Sequence, residues 1–171
     1  MGFCRAKCRF PRPAPSGTAG PTDLIGAVLP ARGGSLTEVN QLRLADFRSA
    51  LAIAPNARAV ATESWDAALA AGRLVPIRTL ISDPAAIHGA GDNISFRYAQ
   101  AWALVYYLHR EKPGAFADYL RELAARNSRR AIQTADEVAL FERCFGPADL
   151  NLETGMREFV VRLRFHPLDA D

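Results

Sequence analysis

One stretch of the chain, residues 96–108, constrains the fold more than any other. Eleven of its thirteen residues are apolar or aromatic, and the two exceptions are Arg97 and Gln100. A helix that is apolar on every side is normally surrounded by other helices, because none of its faces suits water. The stretch is also too short to span a bilayer, which takes about 20 apolar residues. The sequence therefore predicts a central helix over residues 96–109, packed inside a bundle.

Composition favours helices in the rest of the chain as well. The 171 residues include 31 Ala and 18 Leu, against 15 Val and Ile together. Ala and Leu are strong helix formers, whereas β-branched residues favour strands. We predict an all-α fold, a compact bundle of about five to seven helices. Three Cys are too few for a disulfide scaffold. Every window of about 18 residues contains a charged residue, so the sequence predicts no membrane span.

The first 34 residues differ from the rest in composition and charge. They contain five of the eleven Pro and six of the twelve Gly, and they carry five basic groups and one acid. Because Pro and Gly interrupt helices and strands, we predict a disordered basic leader over 1–34 and a helical domain over 35–171. Cys4 and Cys8 lack the second pair of ligands that a zinc site would use. The leader contains no convincing signal peptide, so the location is unknown, with the cytoplasm as the default.

The predicted helical domain is nearly neutral, with 16 basic and 17 acidic groups. A nucleic-acid-binding surface normally shows a stripe of Lys and Arg along one helix face. The tight basic cluster in this domain consists of Arg126, Arg129 and Arg130, at a predicted connection between helices. We therefore expect no nucleic-acid partner.

Capping residues and helix breakers divide the domain into helices. Ser35 with Glu38, and Thr134 with Glu137, have the spacing of capping boxes, in which a hydroxyl and a carboxylate accept the first free N–H groups of a helix. Proline and glycine residues mark several of the helix ends. The predicted helices cover residues 36–54, 63–71, 74–81, 96–109, 115–126, 134–145 and 150–164, with a loop over 82–95.

Residues that could carry chemistry are few. The three His are His88, His109 and His166; no two have the i, i+4 spacing of a helical zinc site, and a His-Glu-x-x-His motif is absent. A metal site folded from His88, Asp92 and His109 is the least favoured alternative. Cys144 is expected to be a buried thiol rather than a nucleophile. We predict no catalytic, cofactor-binding or metal-binding residue in this chain.

Four aromatic side chains of the central helix are the remaining candidates for a binding surface. They either line a groove for a partner or pack in the core, and we favour the core. A buried Tyr hydroxyl would then need a hydrogen-bond partner. The four residues are Tyr98, Trp102, Tyr106 and Tyr107.

Two stretches of the sequence resemble the C-terminal half of a known family. The first is Gly72-Arg-Leu-Val-Pro-Ile-Arg-Thr-Leu-Ile81, and the second is the 96–108 stretch with its Tyr98-Ala-Gln-Ala-Trp102 run. The family is the one called domain of unknown function 1570, placed among the gluzincin-type, peptidase-MA-like zinc peptidases. Residues 39–47 also resemble the segment that follows the family's active-site helices, so the resemblance covers residues 35–163.

The resemblance implies a zinc site whose residues this sequence does not contain. The family binds zinc through a His-Glu-x-x-His helix and a later Glu, all N-terminal to the matched part. Without them there is neither a Lewis acid nor a base to activate water. The resemblance thus implies a non-catalytic C-terminal portion that supports a metal site and cleft outside this chain, with a missing N-terminal catalytic half as its partner. We expect neither enzymatic activity nor a cofactor in the chain itself, although the family implies zinc.

The alternative is a function of a different class. In it the chain is a stand-alone helical module that binds a protein or peptide through the face of Tyr98, Trp102 and Tyr106. Exposure distinguishes the two possibilities. A stand-alone module buries its own aromatic helix, whereas a half-domain shows a large exposed apolar patch.

Replacing Trp102 tests whether the aromatic face is core. If the ring is buried, Trp102→Ala should lower the free energy of unfolding by about 3–5 kcal/mol, enough to unfold a domain of this size. A urea melt measures the change. A loss below about 1 kcal/mol would instead place the ring at solvent or at a partner surface.

Overall fold

A computed structural model of the protein describes residues 38–83, 85–88, 90–126 and 134–166. Within these ranges it contains eight α-helices and no β-strand, and a short 3₁₀ turn at Gly91–Asn93 precedes the fifth helix. The predicted leader and Ser35 lie outside the described residues. The helices are α1 (Gln41–Ala50), α2 (Thr62–Ala70), α3 (Ile77–Ser82), α4 (Ala85–His88), α5 (Ile94–Glu111), α6 (Pro113–Ala125), α7 (Thr134–Phe145) and α8 (Leu150–Arg162).

The all-α prediction is confirmed, with a helix count slightly above the expected range. The additional helix is α4, which forms together with the 3₁₀ turn inside the segment predicted to be a loop. None of the helices in the described ranges is both long and apolar enough to cross a membrane.

Helix α5 lies at the centre of the bundle, as its sequence predicts. It contacts α1, α4, α6 and α8, and partners on several sides explain why nearly every face of it is apolar. Phe47 on α1 and Met156 on α8 are fully buried, and Phe47 also contacts Trp65 of α2. The buried residues of α5 are Arg97, Ala99, Gln100, Ala101, Trp102, Ala103, Leu104, Val105, Tyr106 and Leu108.

The ends of α1 differ from the prediction at both sides. Asn40 caps its N-terminus by accepting a hydrogen bond from the Arg43 N–H at 3.0 Å, whereas Glu38 lies outside the helix. The predicted capping box is therefore wrong. At the other end the helix stops at Ala50 rather than Ala54, because Ala52 adopts a left-handed conformation with φ of 53°.

The same type of ending closes α2, where the sequence does signal it. In both helices the second residue past the helix end donates its N–H to a carbonyl of the last turn, and the third residue donates to the carbonyl before that one. This pair of hydrogen bonds is a Schellman motif. Gly72 holds the left-handed position after α2, with φ of 65°. Glycine adopts that conformation without strain, so the position of Gly72 in the sequence predicts where α2 ends. Alanine at position 52 gives no such signal.

Proline also begins a helix where the prediction has a break. Pro113 is the first residue of α6, and Lys112 alone separates it from α5. The first position of a helix tolerates proline, because its missing N–H would have no partner there in any case. The two helices therefore follow each other with almost no linker.

Gly155 of α8 is explained by a close approach to α5. A Cβ atom at this position would lie 2.6 Å from the Tyr107 hydroxyl oxygen and 3.3 Å from its ring carbon. The sequence suggests only that a glycine weakens the helix by about 1 kcal/mol relative to alanine. The structure gives the reason for it, since the missing side chain makes room for Tyr107 between the two helices.

Candidate functional site

The four aromatic residues of α5 do not line one groove. Trp102 is 3% exposed and Tyr106 is 2% exposed, and their rings stack at a centroid distance of 5.3 Å. Tyr107 is half-buried and packs against Phe159 of α8 at 5.6 Å. Tyr98 is half-buried, and its ring contacts His88 of α4. The face thus places its two largest central rings in the core.

Tyr98 is the member of the set that lies nearest to polar groups. The edge of the His88 ring contacts it at a centroid distance of 6.2 Å. The Arg43 guanidinium lies 5.4 Å from the ring centroid, within the range of a cation–π contact. Arg43 also pairs with Asp46 at 3.4 Å. These contacts hold Tyr98 against the end of α4 and the side of α1.

The most specific polar contacts of α5 are made to residues 72–77, which connect α2 to α3. The Gln100 side chain is fully buried. Its Oε1 accepts a hydrogen bond from the Val75 N–H at 3.0 Å, and its Nε2 donates to the Val75 carbonyl at 2.5 Å. A side-chain amide matches both backbone groups of one residue in this way. The 72–77 segment, which has no helical or strand partner of its own at Val75, is thereby hydrogen-bonded to the central helix.

Two charged side chains bind the ends of the same segment. Arg97, one helical turn before Gln100, donates from Nη2 to the Gly72 carbonyl at 2.7 Å. Glu153 of α8 accepts the Ile77 N–H at 2.7 Å, and a carboxylate is favourable there because Ile77 is the first residue of α3. Both side chains are buried. Residues on α5 and α8 therefore hold one non-helical segment along its whole length.

Cations that are buried or half-buried elsewhere in the protein bind the carboxyl ends of helices. Arg48 of α1 donates from Nη2 to the carbonyls of Val161 and Leu163 at the end of α8, at 3.0 and 2.7 Å. Lys112 donates to the Phe145 carbonyl, the last of α7, at 2.8 Å. Arg97 does the same just after α2. A positive charge at a helix C-terminus satisfies free carbonyls and interacts favourably with the helix dipole.

These bonds account for Nη2 of each buried arginine, whereas Nε and Nη1 of Arg48 and Arg97 are buried without a hydrogen-bond partner among the described residues. Burial lowers the pKa of the Arg48 and Arg97 guanidinium groups, because the charged form loses water. Hydrogen bonds to the backbone carbonyls replace part of the lost hydration of these groups. We therefore regard Arg48, Arg97 and Lys112 as structural residues.

The candidate metal-binding and nucleophilic residues are not brought together. His88 lies against Tyr98, whereas His109 contacts Phe116; Tyr98 and His109 are eleven residues apart on α5, about 16 Å along the helix axis. Across the described ranges, no three side chains among His, Cys, Asp and Glu are arranged to hold a metal ion. Within the described residues, the structure therefore does not bring His88 and His109 together as the alternative site requires.

Cys144 is half-buried on α7 beside the core. Burial, followed by the nearby Glu122 carboxylate, raises the pKa of its thiol. The thiolate is the reactive form of cysteine, so this environment suits a packing residue better than a nucleophile.

One surface groove is lined by three arginines, Arg58, Arg157 and Arg162, that bond no helix carbonyl among the described residues, although Arg162 is itself the last residue of α8. Residues 58–60 form one side, and α8 forms the other with Arg157, Val161 and Arg162. Its volume is about 280 Å³. We call it the arginine groove. The sequence does not predict this groove, because its two sides are almost one hundred residues apart along the chain and neither side has a run of charged residues.

The fold and these contacts define a class: an all-helical domain whose buried polar side chains are bonded to its own backbone. The model of a family described as a protein of unknown function (DUF1570) matches residues 25–129, more than half of the chain. The chain belongs to this family. The match includes both stretches that carry the resemblance, begins within the predicted leader and ends before α7. No curated protein and no solved structure gives a significant match.

Replacing Gln100 tests whether its contacts matter for stability. Gln100→Leu should lower the free energy of unfolding by at least about 2 kcal/mol, because two backbone groups of Val75 lose their partner in a half-buried place. Gln41→Leu is the matched control, since the Gln41 amide also bonds backbone at both atoms, to Arg164 and His166, but at an exposed site. Urea melts of both variants measure the difference. Equal losses would contradict this role of Gln100.

Proposed function

We propose that this chain is a non-catalytic helical portion of a protein resembling gluzincin-type zinc metallopeptidases. In this role it supports a metal site and a substrate cleft that its own residues do not form. The coarse part of this statement, membership of the family, rests on the match over residues 25–129. The peptidase relationship rests on the resemblance of its two stretches and is part of the proposal.

The observation that carries the proposal is the set of contacts made by the Tyr98-Ala-Gln-Ala-Trp102 run. Its glutamine bonds the backbone of the 72–77 segment, and its tryptophan packs in the core. The two stretches that resemble the family are thus one structural unit joined by Gln100 and Arg97. Residues of a catalytic site present polar atoms to a cleft, whereas these present them to the protein's own backbone. A supporting role follows for the segment and for the helix that holds it.

Zinc binding and hydrolysis by the full chain test this proposal. A ligand at 100 times its dissociation constant stabilises the folded state by about 2.7 kcal/mol, so a bound zinc ion would raise the melting temperature. We expect no rise with equimolar or excess zinc, and no peptide hydrolysis that a chelator abolishes. A chelator-sensitive hydrolysis would contradict the proposal.

Two variants make the zinc result specific. If zinc does stabilise the chain, Cys4→Ser with Cys8→Ser removes the thiols of the predicted leader, and His88→Ala with His109→Ala removes the two histidines of the alternative metal site. Stabilisation that survives the first pair and disappears with the second would indicate a metal site in the domain. That result would also overturn the proposed role.

One observation favours the second candidate, a stand-alone interaction module. The described residues cover their own core: three large hydrophobic side chains are exposed there, Leu42, Ile94 and Leu150, and each lies on a different helix. A half-domain would show a broad apolar patch instead. Trp102 and Tyr106 are buried, so the module would need a binding surface other than the predicted aromatic face. The arginine groove is such a surface.

A further inference from the structure

We propose that the arginine groove binds an extended acidic peptide segment, in which carboxylates pair with the arginines and an aliphatic side chain between them packs on the groove floor. This inference concerns the groove alone and does not depend on the proposed supporting role. Four features of the groove lead to it: its charge, the free backbone of one side, its apolar floor and the fixed position of α8 on the other side.

The charge of the groove is positive, because its three arginines outnumber the single carboxylate of Glu158. Arg58, Arg157 and Arg162 line it, and none of the three forms an ion pair or a hydrogen bond within the described residues. Some other surface arginines do have acidic partners, as Arg78 has in Glu142 and Arg121 has in Asp118. A guanidinium fork pairs well with a carboxylate through two parallel hydrogen bonds.

The backbone of residues 58–60 favours a peptide over a small anion. These residues precede α2 without belonging to a helix. Their N–H and C=O groups form no backbone hydrogen bond to any described residue. An extended peptide can pair with such a free segment through its own main chain, and this adds affinity that a simple anion cannot obtain.

The floor of the groove is apolar and suits one aliphatic side chain. Val161 is buried, Val60 is half-buried, and Ala59 lies beside them at the edge. The volume of about 280 Å³ is small for a drug-sized ligand. A short alternation of acidic and aliphatic residues in an extended peptide fits this arrangement, because the acidic groups reach the rim and the aliphatic group reaches the floor.

The α8 wall of the groove is held in place before any ligand binds. Arg48 donates to the Val161 carbonyl and joins the end of α8 to α1. A wall fixed in this way loses little conformational freedom on binding, which favours affinity.

Nucleic acid fits the groove less well than an acidic peptide does. No aromatic residue lines it to stack on a base. Glu158 also lines the groove. Its carboxylate repels phosphates and peptide carboxylates alike, but it can accept a main-chain N–H of a peptide, a donor that a phosphodiester backbone lacks. The acidic peptide is therefore the occupant that charge and hydrogen bonding favour together.

Fluorescence anisotropy with the full chain tests the proposal. The probe is a labelled peptide with the sequence Gly-Ser-Asp-Leu-Asp-Ser-Gly, and the neutral comparison has Asn in place of both Asp. We expect the acidic peptide to bind with an affinity that falls as salt rises. Arg58→Gln combined with Arg162→Gln should weaken it at least about tenfold, since charge-assisted hydrogen bonds are lost. Both arginines are exposed, so the variant should remain folded, which its thermal melt checks.

The matched control changes two exposed arginines outside the groove. Arg110→Gln with Arg121→Gln removes the same net charge from other helices and should leave the dissociation constant within about twofold. Equal binding of the neutral peptide, an equal loss in the control variant, or no binding at about 1 mM peptide would overturn the proposal. So would a thymidine oligonucleotide that binds more tightly than the peptide with the same dependence on Arg58 and Arg162. Displacement of the peptide by inorganic phosphate, at a phosphate concentration similar to the dissociation constant of the peptide, would show that the groove is a general anion site. That result would also overturn the proposal.

Discussion

The hydrogen bonds between the Gln100 amide and the backbone of Val75 are the contacts on which the rest of the arrangement depends. The 72–77 segment leaves α2 and enters α3 without a helix or a sheet to satisfy its backbone at Val75. Gln100 supplies both missing partners from inside the core. Once Val75 is fixed, the Gly72 carbonyl lies at Arg97 and the Ile77 N–H lies at Glu153. Four helices, α2, α3, α5 and α8, therefore meet at one short segment.

The charged residues of the protein fall into two groups with different physical roles. Arg48, Arg97 and Lys112 bind helix C-termini from inside or beside the core. There a cation offsets its own desolvation by completing hydrogen bonds that the helix cannot complete itself. The arginines of the groove have no such backbone partner among the described residues. This contrast, rather than burial or net charge alone, distinguishes structural cations from the candidate binding surface.

The sequence predicts the central helix, the all-α class and the glycine that ends α2, because periodicity and glycine act locally. It does not predict the partners of Gln100 or Glu153, which lie 25 and 76 residues away. Gln100 does stand out as a polar residue within an apolar run, and that signal correctly marks it as unusual. The end of α1 is missed since Ala52 takes a conformation that glycine usually signals. The arginine groove is missed because its two sides, residues 58–60 and α8, are far apart in the sequence and come together only in the fold.

Hydrogen exchange of two valine amides tests the central claim most directly. Val75 and Val60 are both outside helices. The Val75 N–H donates to a buried side chain, whereas the Val60 N–H forms no backbone hydrogen bond to a described residue. If Gln100 fixes the 72–77 segment as part of the core, Val75 should exchange at least about a thousandfold more slowly than Val60, near the rate set by global unfolding. Similar rates at the two amides would show that the segment opens independently, and would contradict the account.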